Sequence, residues 1–223
     1  MAVRQAGPLR MVATLGIAGL ASGIALVGVY LLTLPRIERN RAEALEAAIY
    51  RVLPGARSRQ AFVLREGALE RFSTRDGRLP AGEAVYLGYD ARGAPVGFAI
   101  PAEGPGFQDT IKLIYGYDPA RRRVIGMEVL ESRETPGLGD KIIKDEAFVA
   151  NFRDLAVTPE VVAVRRGRTR DNEVDAISGA TISSNAVVRI INQANARWLD
   201  RLPELGDVRA PEPRALAPAG EPD

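Results

Sequence analysis

The sequence predicts an α+β protein: an antiparallel sheet with flanking helices, carried on a single N-terminal transmembrane helix. Residues 11–34 contain no charged side chain and are long enough, at helical rise, to cross a bilayer. Short apolar runs then alternate with Gly, Pro and Asp, the pattern of strands joined by tight turns. Val187, Ile190, Ile191, Ala194 and Trp198 recur at spacings of three and four, which marks one face of an amphipathic helix.

A short N-terminal segment, 1–10, precedes the span at 11–34. A cleaved signal peptide is the competing reading. The stretch is longer than an ordinary signal core and no small-x-small cleavage site follows it, so a retained anchor is favoured. Gly19 and Gly23 form a small-xxx-small pair, a feature of close-packed membrane helices that is also common in spans without such a partner. Arg4 and Arg10 flank the span on one side and Arg36, Arg39 and Arg41 on the other. That count slightly favours a domain held inside, by a rule that large domains often override. Pro35 predicts a break, after which Ile37, Leu45, Ala48, Ile49, Val52 and Leu53 keep a helical period up to Pro54 and Gly55. A juxtamembrane helix over 35–55, lifting the domain off the lipid, is the expectation.

The folded domain is expected over 56–202. Its strands fall at 61–64, 84–89, 95–100, 110–117 and 124–130, with hairpin-like turns at 90–94 and 118–122. Residues 102–108, Ala-Glu-Gly-Pro-Gly-Phe-Gln, read as a glycine-rich connection that lacks the spacing of a Walker loop or a dinucleotide fingerprint. Further strands are expected at 161–164 and 174–177, then a helix over 183–202 whose first turn begins near Thr181. From Pro203 to residue 223 the chain turns to Pro, Glu, Gly and Ala without periodicity, a composition that predicts a disordered tail.

Cysteine and histidine are both absent. Disulfides, cysteine nucleophiles, iron–sulfur clusters held by this chain, Ser-His-Asp triads and His-ligated zinc or haem are thereby excluded. No catalytic residue and no metal ligand is assigned. Carboxylate, amine and hydroxyl chemistry remains, so electrons handled here need a cofactor. A net charge of +2 does not mark a nucleic-acid binder. Arg121 to Arg123 and the run Arg165, Arg166, Arg168, Arg170 read as solvated turns, since neither is interleaved with aromatics.

Two stretches carry chemistry. Residues 175–185 read Asp-Ala-Ile-Ser-Gly-Ala-Thr-Ile-Ser-Ser-Asn, an apolar approach, a turn at Ser178 and Gly179, and a row of hydroxyls at a helix start. Unpaired N–H groups and partial positive charge there suit a phosphate. By local chemistry alone the commoner role of such hydroxyls is to cap the helix. Residues 134–141 read Glu-Thr-Pro-Gly-Leu-Gly-Asp-Lys, in which Pro136 and Gly137 suit the centre of a type II turn entering a helix that runs towards Phe152.

Asp175, Ser178, Gly179, Ala180 and Thr181 resemble the Asp-x-x-(Ser/Thr)-Gly-Ala-Thr signature of the covalent FMN-binding domain family, in which the threonine hydroxyl is esterified to the flavin phosphate. Together with Glu-Thr-Pro-Gly-Leu-Gly, the chain is similar to the G subunits of Rnf ion-translocating electron-transport complexes, and to their relatives, the C subunits of sodium-pumping NADH:quinone oxidoreductases. Length and the stretch 104–117 look more like the Rnf subunits.

The resemblance implies FMN on Thr181, installed by an external magnesium-dependent flavin transferase that uses FAD. This fits the absence of any residue placed to activate the hydroxyl. It also implies that Asp175, Gly179 and Ala180 let the segment be read by the transferase, that Ser178 hydrogen-bonds the phosphate, and that Lys141 compensates charge. Glu134, Thr135, Gly137, Leu138 and Gly139 would line the flavin pocket. Ser132 stands where relatives often carry histidine, so no imidazole relay is expected. The implied setting is a bacterial inner membrane with the domain on the periplasmic side, other Rnf subunits and the lipid bilayer as partners, and no nucleic acid. The implied function is electron relay within a ferredoxin:NAD oxidoreductase. A flavin-binding sensor or receptor, a subunit of the sodium-pumping complex, and an anchor whose Thr181 is only a cap are the alternatives.

Overall fold

A computed structural model describes residues 7–72, 80, 83–165 and 167–205. Most of the expected N-terminal segment and tail, together with Arg166, lie outside the described residues.

The first element, α1, is a single helix Pro8–Val52. It passes through Pro35 without the break that proline predicts. A proline removes one N–H and crowds the carbonyl four residues back, a local defect that a long apolar helix can absorb. Just before it, Thr33 Oγ1 donates to the carbonyls of Val29 and Tyr30. The helix contains an uncharged stretch long and apolar enough to span a membrane. The chain divides into two units, 1–43 and 44–223, so the last turns of α1 belong to the folded domain.

That domain is α+β, as the sequence predicts. Strands β1 (Ser58–Arg65), β2 (Ala68–Phe72), β3 (Ala84–Tyr89), β4 (Pro95–Pro105), β5 (Thr110–Asp118) and β6 (Arg123–Glu131) are followed by α2 (Lys141–Lys144), α3 (Glu146–Ala150) and β7 (Leu155–Ala156). Then come β8 (Val162–Val164), β9 (Glu173–Asp175), α4 (Thr181–Trp198) and a 3-10 turn, Leu199–Arg201. Among the described residues the main sheet runs β2-β1-β3-β4-β5-β6-β7, antiparallel throughout, while β8 and β9 form a separate parallel pair.

Both faces of the sheet are covered. One face packs Val85, Leu87, Phe98, Ile100, Leu113 and Tyr115 against Val187, Ile190, Ile191, Ala194 and Trp198 of α4. The other packs Ala84, Tyr86, Ala99 and Ile114 against Ala48, Ile49, Val52 and Leu53 at the end of α1. Alternate side chains of a strand point to opposite faces, so β3, with every residue buried, reads as an unbroken apolar run.

Besides the break at Pro35, three sequence expectations are corrected and one strand is added. The edge strand β2 is not foreshadowed in the sequence because Ala-Leu-Glu-Arg-Phe is short, lacks an apolar alternation and buries none of its residues; pairing with β1 makes it a strand. Residues 102–105 belong to β4, because Gly104 and Pro105 stay in register with Ile111 and Thr110. The connection is therefore shorter, closed by Gly106 N–H donating to the Asp109 carbonyl at 2.8 Å. The helix towards Phe152 is broken at Asp145, whose backbone is extended and whose Oδ1 accepts the Phe148 N–H at 3.1 Å to cap α3. Arg123 is more than a solvated turn, since its guanidinium donates to the Asp154 carbonyl and the Asp171 carboxylate.

Candidate functional site

Glu134 is buried at 5% exposure. Its Oε1 accepts the N–H groups of Phe107 and Gln108 at 2.9 and 3.0 Å. Its Oε2 accepts the Ser183 hydroxyl at 2.5 Å. One carboxylate thus joins the β4–β5 connection, the 134–140 turn and the first turn of α4. Burial works to raise the Glu134 carboxyl, but the Ser183 hydroxyl and the N–H groups of Gln108, Phe107 and Asp109 outweigh it and hold the group below the usual glutamate range.

The turn itself is built around this joint. Leu138 N–H donates to the Thr135 carbonyl at 3.1 Å, and Gly137 has φ 78°, as the second central position of a type II turn requires. Gly137 N–H is held by Asp140 Oδ1 at 2.7 Å, and Thr135 Oγ1 donates to Gln108 Oε1 at 2.8 Å. A Cβ on Gly139 would lie 2.7 Å from Glu134 Oε2 and 3.0 Å from Ser183 Oγ, so only glycine allows the turn to close on the carboxylate. Glu134 and Gly139 therefore form the floor under the turn, whereas Leu138 stands out from it at 52% exposure.

At the start of α4 no side chain caps the helix. Ala180 is the N-cap residue, preceded by Gly179 at φ 83°. The two buried serines are engaged elsewhere: Ser183 with Glu134, and Ser184 with the Ala180 carbonyl and the Ile177 N–H. Thr181 and Ser178 are exposed, and neither hydroxyl has a partner among the described residues. The N–H groups of Thr181, Ile182 and Ser183 also find no acceptor among the described residues. An exposed hydroxyl on a helix start, with N–H groups left open and partial positive charge, offers room and polarity for an anion.

Beside it lies a cavity of about 560 Å³ lined by Lys141, Lys144, Phe148, Arg165, Asp175 and Ser178. Lys144 is paired with Asp140 at 2.5 Å, while Lys141 and Arg165 form no ion pair among the described residues. Asp175 shapes the wall, accepting the Arg168 N–H at 3.0 Å while its own N–H donates to Asn151 Oδ1 at 3.2 Å. A groove of similar size follows the C-terminal half of α4, past Ile190 and Trp198, and is remote from the hydroxyl-bearing turn.

Of the residues singled out from sequence, Asp175, Ser178 and Lys141 share the cavity wall, Gly179 and Ala180 shape the turn, and Thr181 opens α4. Thr135, Gly137 and Leu138 lie on the neighbouring turn. The structure adds Phe107, Gln108, Ser183 and Arg165, and Ile182 at 58% exposure. Position beside a threonine of the signature is the only sequence signal for Ile182 and Ser183. Phe107 has none beyond lying in a glycine-rich stretch.

An exposed hydroxyl at a helix start, beside a cavity carrying Lys141 and Arg165, can receive an anionic group, and residues 106–196 match the family described as FMN-binding domain. More particularly, the chain is similar to the G subunits of ion-translocating oxidoreductase complexes. It is 38% identical over 109 residues to the one from Methanosarcina acetivorans, covering 49% of this chain and 55% of the relative. It is 33% identical over 131 residues to the one from Pectobacterium atrosepticum, covering 58% of each. The chain thus spans little more than half the length of these relatives. The crystal structure of Shewanella oneidensis NqrC shares the fold at TM-score 0.57 and 16% identity, covering 76% of this chain and all of that one.

Proposed function

We propose that the chain is a membrane-anchored flavoprotein subunit that relays electrons through an FMN joined to Thr181 by a phosphoester bond. Its setting would be an ion-translocating ferredoxin:NAD oxidoreductase complex, with the domain on the periplasmic side of the inner membrane. The observation that carries the reading is the Thr181 hydroxyl, exposed and without a partner among the described residues on the first turn of α4, inside a stretch that matches the FMN-binding domain family.

The residues present fit the group. The N–H groups of 181–183 and the positive end of α4 would face the phosphate, with Ser178 donating to it. Lys141 and Arg165, which form no ion pair among the described residues, line the adjoining cavity and would balance its charge. Asp175 would hold the approach to the turn through its bonds to Arg168 and Asn151. Glu134 would keep the three surrounding segments fixed while itself staying almost wholly buried. Bound FMN supplies reversible one- and two-electron exchange that no side chain here can provide.

Attachment would be made from outside, by a magnesium-dependent flavin transferase using FAD. No described side chain hydrogen-bonds to Thr181 as a general base must. A hydroxyl in solvent is open to such an enzyme, whereas Ser183 and Ser184, buried and bonded, are not. The ester would keep the cofactor where no resident pool replaces it.

The test is co-expression with the transferase, followed by intact-mass measurement and ultraviolet inspection of a denaturing gel. The parent is expected to gain the mass of FMN less water and to fluoresce; Thr181→Ala is expected to do neither. A fluorescent band that persists in Thr181→Ala would remove the site assignment, and no band in either would favour the anchor reading.

A further inference from the structure

Outside α1, five large apolar side chains among the described residues stand exposed in water: Phe107, Leu138, Ile143, Val162 and Ile182. Phe107 (64%), Ile182 (58%) and Leu138 (52%) are the most exposed of the five. These three sit on the three segments that the Glu134 carboxylate joins. Phe107 has its own N–H bonded to Oε1, Ile182 precedes the serine bonded to Oε2, and Leu138 precedes the glycine that closes on the same carboxylate. Leaving large apolar groups in water is unfavourable. Here their segments converge on one buried charged joint, with Ile182 next to Thr181 in the chain.

We infer that Phe107, with Ile182 and Leu138, forms the platform on which the isoalloxazine ring rests, Phe107 being its aromatic contact. This rests on the proposed FMN at Thr181 and goes beyond it by assigning Phe107 and Ile182, which neither family signature contains, beside Leu138 of the 134–140 turn. A flat aromatic ring system tethered through its phosphate needs an apolar face within reach of the tether. An aromatic side chain offers stacking in addition to burial. Glu134 is then a positioning residue, acting on the ring only through the backbone of Phe107 and the first turn of α4.

The experiment uses full-length protein matured with the transferase, with attachment confirmed by intact mass in the parent, Phe107→Ala, Phe107→Tyr and Ile182→Ser. Quenching of flavin fluorescence by iodide reads the exposure of the ring. Phe107→Ala and Ile182→Ser are expected to keep the covalent FMN and to quench about threefold more steeply, with lower fluorescence anisotropy, because one face of the ring is uncovered. Phe107→Tyr should match the parent. Quenching and anisotropy unchanged in Phe107→Ala, with FMN still attached, would overturn the platform. If the parent carries no covalent FMN, the reading of Thr181 fails separately, and the same proteins are titrated with free FMN. A loss of affinity of about fivefold in Phe107→Ala then supports the platform. Equal affinity, or no binding in the parent, overturns it.

Discussion

Glu134 shows how one buried side chain can tie three segments of the chain together. Its charge is buried, and hydrogen bonds from Ser183, Phe107 and Gln108 stabilise the ionised form enough to pull its pKa down despite the desolvation. A carboxylate with a depressed folded-state pKa adds stability above its unfolded pKa, and that stability is lost as pH falls through the folded value. Glu134→Gln is therefore expected to cost about 2–3 kcal/mol at neutral pH, as read by urea denaturation. The gap between parent and variant should narrow on acidification, once the parent carboxyl is protonated. A gap that stays constant down to strongly acidic pH would contradict the assignment of a buried ionised glutamate.

The turn between β6 and α2 and the start of α4 work as one unit at the level of elements. The turn closes on Glu134 and Ser183 because residue 139 has no side chain. Gly139→Ala places a methyl 2.7 Å from Glu134 Oε2 and 2.8 Å from its Cβ, so either the turn or α4 must move. A loss of about 1–3 kcal/mol is expected, the range of core overpacking, measured by thermal melting. Flavin attachment should fall in the same variant, because a displaced turn disturbs the surroundings of Thr181. A variant that melts like the parent and takes up flavin normally would show that the turn is not fixed by this contact.

The sheet, taken as a whole, needs helices on both faces, and the end of α1 supplies one of the two coverings. Ala48, Ile49, Val52 and Leu53 are all at most 1% exposed. Arg51 adds a two-pronged contact to Glu128 at 2.5 Å for each prong. A chain beginning at Ala44 is therefore expected to be folded and monodisperse. A chain beginning at Pro54 should lose about 1.5–3 kcal/mol for each large side chain removed and expose Tyr86 and Ile114. Size-exclusion chromatography and binding of a hydrophobic dye would check this; equal behaviour of the two chains would show that α1 is dispensable to the fold. Residues 35–55, read from sequence as a spacer, thus divide near Glu43 into an outer part and a part of the core.

The sequence by itself determined what local chemistry encodes. An uncharged stretch makes a helix long and apolar enough to span a membrane, spacings of three and four make α4, glycine after proline makes the 134–140 turn, and Ser-Gly-Ala-Thr places a hydroxyl at a helix start. Strand β2 escapes notice because an exposed edge strand has no apolar alternation to display. The end of β4 escapes because its glycines and prolines mimic a loop until β5 pairs with them. Only the tertiary structure decided which hydroxyl stays free. By local chemistry Thr181, Ser183 and Ser184 are all hydroxyls at one helix start, and packing buries the two serines against Glu134 and the Ala180 carbonyl while leaving Thr181 in water. Phe107 likewise became part of the site through a carboxylate distant in the chain, because burying that charge requires donors from wherever the fold can bring them.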